Sequence, residues 1–321
     1  MSSSAQVVTL TDATGTANAD ILVSQGFNCF RLTLATLENP FDWLWATEQF
    51  SSGEERASRC GIPILFPFPG RIRNGTFRWK DRDYQLETND GQGNAIHGFV
   101  HTRQWTIVEQ HVDRLIGEIS SETYADELSE LWPGQFRLRA DYHLFADRLV
   151  TRFTVENSGD EPLPFGLGLH PYFRLPVDDG ERASILVRVP VKRQWNLEAM
   201  LPTGESHAVA DDMPLRVGQP FSTMNYDDVF SEPDVEKDRV VSAVIDRDNR
   251  RQLLVEATPN FGAYVLYTPP HREAVCIEPY TTLPDLFQMQ EQGHRPAVRE
   301  LPVGEQESFE VVYRAAPIQN S

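Results

Sequence analysis

"FRLRADYHLF", residues 136 to 145, alternates without a break. Phe136, Leu138, Ala140, Tyr142 and Leu144 fall on one side of an extended chain, and Arg137, Arg139, Asp141 and His143 on the other. Successive side chains of a strand point to opposite faces, so this pattern is that of a half-buried strand. "RLVTRFTVEN", residues 148 to 157, follows a short polar turn and predicts the second arm of a hairpin.

The same alternation recurs in both directions from this hairpin. Upstream, "CFRLTLATL" (29–37) alternates through Phe30, Leu32 and Leu34, and "GTFRWKDRDYQLETN" (75–89) reads as two short strands joined around Lys80 and Asp81. Downstream come "SILVRVPV" (184–191), "RVVSAVID" (239–246), "RQLLVEA" (251–257), "AYVLYTP" (263–269) and "SFEVVYRA" (308–315). Only "SETYADELSELWP" (121–133) has a helical look, and Pro133 is expected to stop it. Many short strands separated by turns predict an all-β protein, a large antiparallel sandwich or barrel with few short helices. No linker-like tract or internal repeat divides the 321 residues, so a single domain spanning 1–321 is expected.

The formal net charge is −18, with the acidic residues scattered along the chain. Such a field opposes nucleic acid and anionic membranes as partners. Cys29, Cys60 and Cys276 have neither a CxxC spacing nor an even count, which fits reduced thiols in a cytoplasmic protein. "MSSSAQVVTLTDATGT" lacks a basic region followed by an apolar run, so no secretory signal is expected there, and no stretch has the length of a membrane-spanning helix.

Several polar clusters stand among aromatic residues: Phe66 and Phe68, Trp79, Trp105, Tyr172 and Phe173, Tyr226 and Phe230, and Tyr280. Flat apolar walls with imidazoles, carboxylates and guanidiniums between them suit a sugar, whose C–H faces are ringed by hydroxyls. In "GLGLHPYFRLP" (166–176), Gly166 and Gly168 permit close backbone approach, and Pro171 stiffens the chain just after His170. Tyr172 or Phe173 would shield that imidazole from bulk water. In "AVCIEPYTTLPDLF" (274–287), Glu278 follows an apolar run and is expected to be partly desolvated, which raises a carboxyl pKa towards neutrality. "FSTMNYDDVF" (221–230) offers Asp227 and Asp228, although Asn225 and the two aspartates also suit a turn. "NAIHGFVHTRQW" (94–105) carries His97 and His101, but Gly98 argues against the helix that would set both on one metal-binding face. There is no GxGxxG, no GxxxxGK[ST] and no GxSxG, which demotes nucleotide cofactors and serine-hydrolase chemistry.

Taken in order, these motifs resemble the aldose 1-epimerases, or galactose mutarotases. The similarity runs from about residue 60 to the C-terminal strand. It is carried by "FPGRIRNGTFRWKDRDYQLETNDGQGNAIHG" (68–98), "HPYF" (170–173), "YDDVF" (226–230) and "IEPYTTLPD" (277–285). The resemblance implies a galactose mutarotase-like supersandwich acting on a monosaccharide, with no cofactor and no metal. It implies Glu278 as general base, His170 as general acid, and Arg71, His97 and Asp227 as sugar-binding residues. Gly70 and Phe99 depart from the usual family pattern, and "GIPILFPFPGRI" (61–72) with "HGFVHTRQW" (97–105) leans towards the neighbouring hexose-6-phosphate mutarotases. His101 stands where that branch carries an arginine. With only Arg71, Arg73 and Arg103 within sequence reach, unphosphorylated hexoses are the expected substrates. The rival readings are a 6-phosphate mutarotase, a non-catalytic carbohydrate-binding protein of the same fold, and a glycosidase using Asp227 and Glu278 as its carboxylate pair. No oligomeric state is expected from the pattern.

Overall fold

Strands Phe136–Phe145 and Arg148–Asn157 pair antiparallel, with Leu144 opposite Leu149 and Ala140 opposite Phe153. The five apolar residues of the first arm are all buried. The computed structural model describes residues 5–36, 39–175 and 184–318. Leu37 of the predicted strand at 29–37, Pro176, and residues 1–4 lie outside the described residues.

This hairpin lies within a nine-stranded antiparallel sheet. In spatial order the sheet runs Thr106–Gln110, Arg114–Ser120, Phe136–Phe145, Arg148–Asn157, Gln306–Pro317, Arg251–Ala257, Val240–Asp246, Ile185–Arg188 and Gln219–Pro220. The C-terminal strand occupies the centre. A second sheet of eight strands includes Ile64–Leu65, Gly168–Leu169, Tyr172–Arg174, Asp227–Ser231, Ala263–Tyr267 and Ala274–Tyr280. A four-stranded sheet, beginning at Val7–Thr11 and ending at Asn39–Asp42, precedes both.

The two large sheets face one another across one continuous apolar core. Leu138, Phe153, Val255 and Tyr313 come from the first sheet, and Phe230, Tyr264, Leu266 and Ile277 from the second. Rings meet across the layers, with Phe173 and Tyr313 at 6.0 Å between centroids and Phe66 and Phe136 at 4.8 Å. Each large side chain buried in this way contributes ~1.5–3 kcal/mol of transfer free energy. Of the sandwich and the barrel that the alternation allowed, the all-β antiparallel sandwich is the architecture observed.

The helical expectation is corrected in extent. "SETYADELSELWP" forms a 3₁₀ turn at Ser121–Tyr124 and one α-turn at Ala125–Leu128. It therefore ends well before Pro133, whose role as the stop is not needed. Two further short helices, Pro214–Val217 and Leu286–Glu291, had no recognisable periodicity. No helix among the described residues is long and apolar enough to cross a membrane.

The eight-stranded sheet is covered on both faces near its middle, and this arrangement creates the site. Every residue of Ala274–Tyr280 is buried, but alternation still sorts them. Val275 and Ile277 enter the shared core, whereas Glu278 and Tyr280 face the opposite side. Tyr264 and Leu266 likewise point inward, while Val265 and Tyr267 point outward with Glu278.

Candidate active site

The outward face of the eight-stranded sheet floors a cavity of ≈ 610 Å³. Arg71, His97, His170, Asp227 and Glu278 all line it. The structure thus brings together the five residues singled out in the sequence, from segments as far apart as Arg71 and Glu278.

Strand register sets the central pair. Gly168 lies opposite Tyr280 and Tyr172 opposite Cys276, in one antiparallel register. The intervening position opposite Glu278 is His170. Pro171 has no N–H to donate, so the ladder is interrupted there, and the His170 backbone N–H bonds outward to the carbonyl of Pro63 at 3.0 Å. His170 Nε2 comes to 3.4 Å from Glu278 Oε1, and the Tyr280 hydroxyl donates to Glu278 Oε2 at 2.6 Å. Glu278 lies inside its strand, not beyond its end as the apolar run suggested. Gly168 is required for this closeness, because a Cβ there would stand 2.6 Å from the Tyr280 ring.

Burial dominates the electrostatics. It pushes the Glu278 carboxyl well above its ordinary range; the Tyr280 hydrogen bond opposes this, and Asp227 adds to it. It pulls His170 down to about 3. Both directions disfavour the charged form in a low-dielectric site. The pair is thereby driven towards a net charge of zero, with one proton held between two groups. Tyr172 stacks on His170, with centroids 4.8 Å apart and planes 4° from parallel. Of the two residues expected for that shielding, Tyr172 takes the place, and Phe173 points into the core, as strand alternation requires.

His97 approaches from the other side, its ring 5.5 Å from that of His170. Its backbone is left-handed at φ 71°, and its N–H donates to the Gly70 carbonyl at 2.9 Å. Gly98 follows at φ +66°, where a Cβ would lie 2.2 Å from the Phe66 carbonyl oxygen. Only glycine fits this turn, which aims His97 into the cavity. Burial lowers His97 well below the usual imidazole range, with His170, His101 and Arg71 adding to the effect. His101 lies behind it, buried, with the rings 6.3 Å apart. Val100–Thr102 is a 3₁₀ turn, so the two histidines do not share a helix face.

Arg71 enters from a two-residue strand paired with Ala95–Ile96. Its Nε donates to Asp90 Oδ2 at 3.0 Å. Asp90 also accepts from the backbone N–H groups of Gln92 at 2.7 Å and Asn94 at 2.9 Å. Although burial works the other way, the Asn94, Gln92 and Arg71 hydrogen bonds hold the Asp90 carboxyl at about 2. Asp285 fixes the far end of the same segment, taking the Arg73 backbone N–H at 3.1 Å while its own N–H donates to the Arg71 carbonyl at 2.7 Å. Asp227 begins a strand, not a turn, and sits opposite Tyr267 across the ladder.

The aromatic walls differ from those expected. Tyr172 and Tyr280 line the cavity, but Phe66, Phe68, Trp105, Phe173 and Phe230 belong to the core. Trp45 and Tyr267 take their place. Trp45 stacks on His271 at 4.1 Å and its indole N–H donates to Glu273 at 2.9 Å. Two guanidiniums were also missed: Arg56 and Arg59, flanking and closing the turn Ala57–Arg59, line the cavity. Arg73 and Arg103 do not, being paired with Asp285 and Glu127.

A large antiparallel sandwich with a buried histidine–carboxylate pair on the outer face of one sheet defines the class, a galactose mutarotase-like fold. The whole-chain likeness to known structures agrees. A galactose mutarotase-like protein from Clostridium acetobutylicum superposes with a TM-score of 0.83 at 21% identity, covering 98% of this chain and 99% of that one. Galactose 1-epimerase from Lactobacillus acidophilus NCFM superposes with a TM-score of 0.72 at 16% identity, covering 98% and 100%. The aldose 1-epimerase family profile matches residues 31–314, and the chain belongs to that family. Among curated proteins it is similar to two uncharacterized Escherichia coli K12 proteins. These are YphB, 35% identical over 114 residues, and YihR, 33% identical over 113 residues. The matched segments span 36% and 34% of those relatives' lengths.

Proposed function

We propose that the protein is an aldose 1-epimerase that interconverts the α and β anomers of a hexose, with Glu278 and His170 as its acid–base pair. The observation that carries this reading is the 3.4 Å approach of His170 Nε2 to Glu278 in a cavity also lined by Arg71, His97 and Asp227.

Opening a hexopyranose needs a proton removed from the anomeric hydroxyl and one delivered to the ring oxygen. Glu278 takes the first proton as the C1–O1 double bond forms. The C1–O5 bond breaks, its electron pair goes to O5, and His170 protonates O5. The free aldehyde rotates about C1–C2, the ring closes on the other face of the carbonyl, and both transfers reverse. The pair carries one proton throughout, the count that burial favours, and for ring opening that proton first passes from Glu278 to His170 across their 3.4 Å contact. Each positioned group is worth ~10²–10⁴-fold. Arg71, His97 and Asp227 hold the hydroxyls, and Trp45, Tyr172 and Tyr267 offer flat faces to the C–H surface.

The test is polarimetry on freshly dissolved glucose, galactose and other aldoses. Glu278→Gln keeps the side chain's shape but cannot accept the proton, so it should abolish catalysis while sugar binding survives. His170→Asn should lower kcat by at least ~10² with a smaller change in KM. Variants within a few-fold of wild type would remove these residues from the mechanism, and would favour a non-catalytic binding protein if wild type is equally inert.

A second reading is favoured by Arg56 and Arg59. Guanidiniums converging on a cavity suit a phosphate ester, as in a hexose-6-phosphate mutarotase. Absent Arg73 and Arg103, the neutral hexose remains the primary reading. Comparing kcat/KM for glucose, galactose and glucose 6-phosphate at two salt concentrations separates the two. A phosphate ester favoured tenfold or more, with the advantage shrinking as salt rises, would establish the second.

A further inference from the structure

Cys276 is a buried thiol beside the acid–base pair that the proposed chemistry leaves unused. It lies two residues before Glu278 on the same strand and therefore on the same face, opposite Tyr172. One ligand atom each from Cys276, His170 and Glu278 lie within 4.8 Å of one another, and all three residues are buried. His170 and Glu278 line the cavity, which offers a path of entry. His170 Nδ1 has no hydrogen-bond partner among the described residues, so no carbonyl or carboxylate locks the ring's orientation.

We propose that Cys276, His170 and Glu278 form a binding site for a thiophilic divalent cation of the zinc type, and that its occupancy inhibits the enzyme. One sulfur, one imidazole nitrogen and one carboxylate oxygen, with a fourth position open to a cavity, is a donor set that zinc accepts. Tetrahedral zinc holds such donors about 3.3–3.6 Å apart, from Zn–S near 2.3 Å and Zn–N or Zn–O near 2.0 Å. Side-chain torsions need draw the three atoms together by about an ångström, without moving the strands that carry them. The thiol proton and the proton held by the pair leave to solvent as the metal binds. The metal then occupies the lone pairs that His170 and Glu278 would use on the sugar. The ion acts as an inhibitor, and turnover does not depend on it.

Cobalt(II) added to the metal-free protein tests this without reference to turnover. Wild type should take up a single Co²⁺ per chain and show a thiolate-to-cobalt charge-transfer band in the near ultraviolet. Cys276→Ala and the near-isosteric Cys276→Ser should both lose the band, and the second guards against a packing defect in the first. Zn²⁺ affinity measured by calorimetry should fall at least tenfold in these variants and in Glu278→Gln. In the rate assay Zn²⁺ should inhibit wild type, a chelator should reverse it, and the Cys276 variants should turn over sugar while resisting Zn²⁺. Failure of folded wild type to take up either metal overturns the proposal. So does a band that survives in the Cys276 variants, which would assign it to Cys60 at the cavity wall. A chain that binds cobalt through Cys276 but turns over no sugar refutes the epimerase reading and leaves the metal site standing. The opposite result does the reverse.

Discussion

Replacing one member of the buried pair should expose a pH dependence that the wild type cancels. Burial lowers His170 from 6.5 to about 3 and raises Glu278 well above 4.5. Between pH 5 and 6.5 the unfolded chain carries Glu278 ionised and His170 protonated, one proton on the two groups. Below the raised Glu278 value the folded chain carries both neutral, again with one proton. Stability changes with pH only where the two states bind different numbers of protons, so in this window the pair contributes almost no slope. Glu278→Gln leaves His170 alone. Its pKa is depressed on folding, so its contribution is fully present above the unfolded value and is lost as pH falls towards about 3. The variant should therefore gain stability with rising pH at up to ~1.4 kcal/mol per unit, or about 1.5–2 kcal/mol from pH 5 to 6.5. His170→Asn leaves Glu278 alone. Its pKa is raised on folding, so its contribution is present below the unfolded value and is lost as pH rises towards the folded one. The slope has the opposite sign. Urea unfolding in half-unit steps, followed by tryptophan fluorescence and referred to the double variant, isolates both slopes from other titrating groups. A flat Glu278→Gln profile, or slopes of the same sign in the two single variants, would refute the claim that burial holds this pair at one proton.

Other expectations follow from neighbouring contacts. Asp90→Ala removes the partner that aims Arg71, and should raise KM for the sugar roughly tenfold with little change in kcat, a loss of about 1.4 kcal/mol in binding; an unchanged KM would mean Arg71 is positioned by other contacts. Gly98→Ala places a methyl group against the Phe66 carbonyl at a left-handed backbone, and should cost at least ~2 kcal/mol in denaturant unfolding. Dialysis against a strong chelator should leave the initial rate unchanged or raise it; complete loss restored by a divalent cation would overturn the metal-free mechanism.

The sheets were legible because alternation is a local property. Phe136 to Leu144 needs no distant partner to declare which side is apolar, and antiparallel pairing across a short turn follows from chain direction alone. The family motifs also singled out Arg71, His97, His170, Asp227 and Glu278, which the structure brings to one cavity; all but Asp227 are marked by a neighbouring glycine, proline or apolar run. What alternation could not resolve is a strand buried on both faces. Ala274–Tyr280 reads as one apolar run, and only the packing of Val275 and Ile277 against the second sheet shows that Glu278 turns away from the core. The same ambiguity put Phe173 beside His170 in the sequence reading, when its strand sends Tyr172 to the cavity and Phe173 to Tyr313.

Arg56, Arg59, Trp45 and Asp90 show where local reading ends. Arg56, Arg59 and Trp45 stand outside every family motif, and Asp90, though inside 68–98, has no chemical signature of its own there; Arg73 and Arg103, which lie closer in sequence to the histidine and arginine motifs, are drawn off by Asp285 and Glu127. Period-two patterning and turn chemistry are written residue by residue, so the sequence by itself determined the strands and the all-β class. Which side chains meet depends on strand register and on the two-faced burial of one sheet. Those are summed over contacts between segments about a hundred residues apart, so only the tertiary structure decided that His170 would stand opposite Glu278 and that Cys276 would lie beside them.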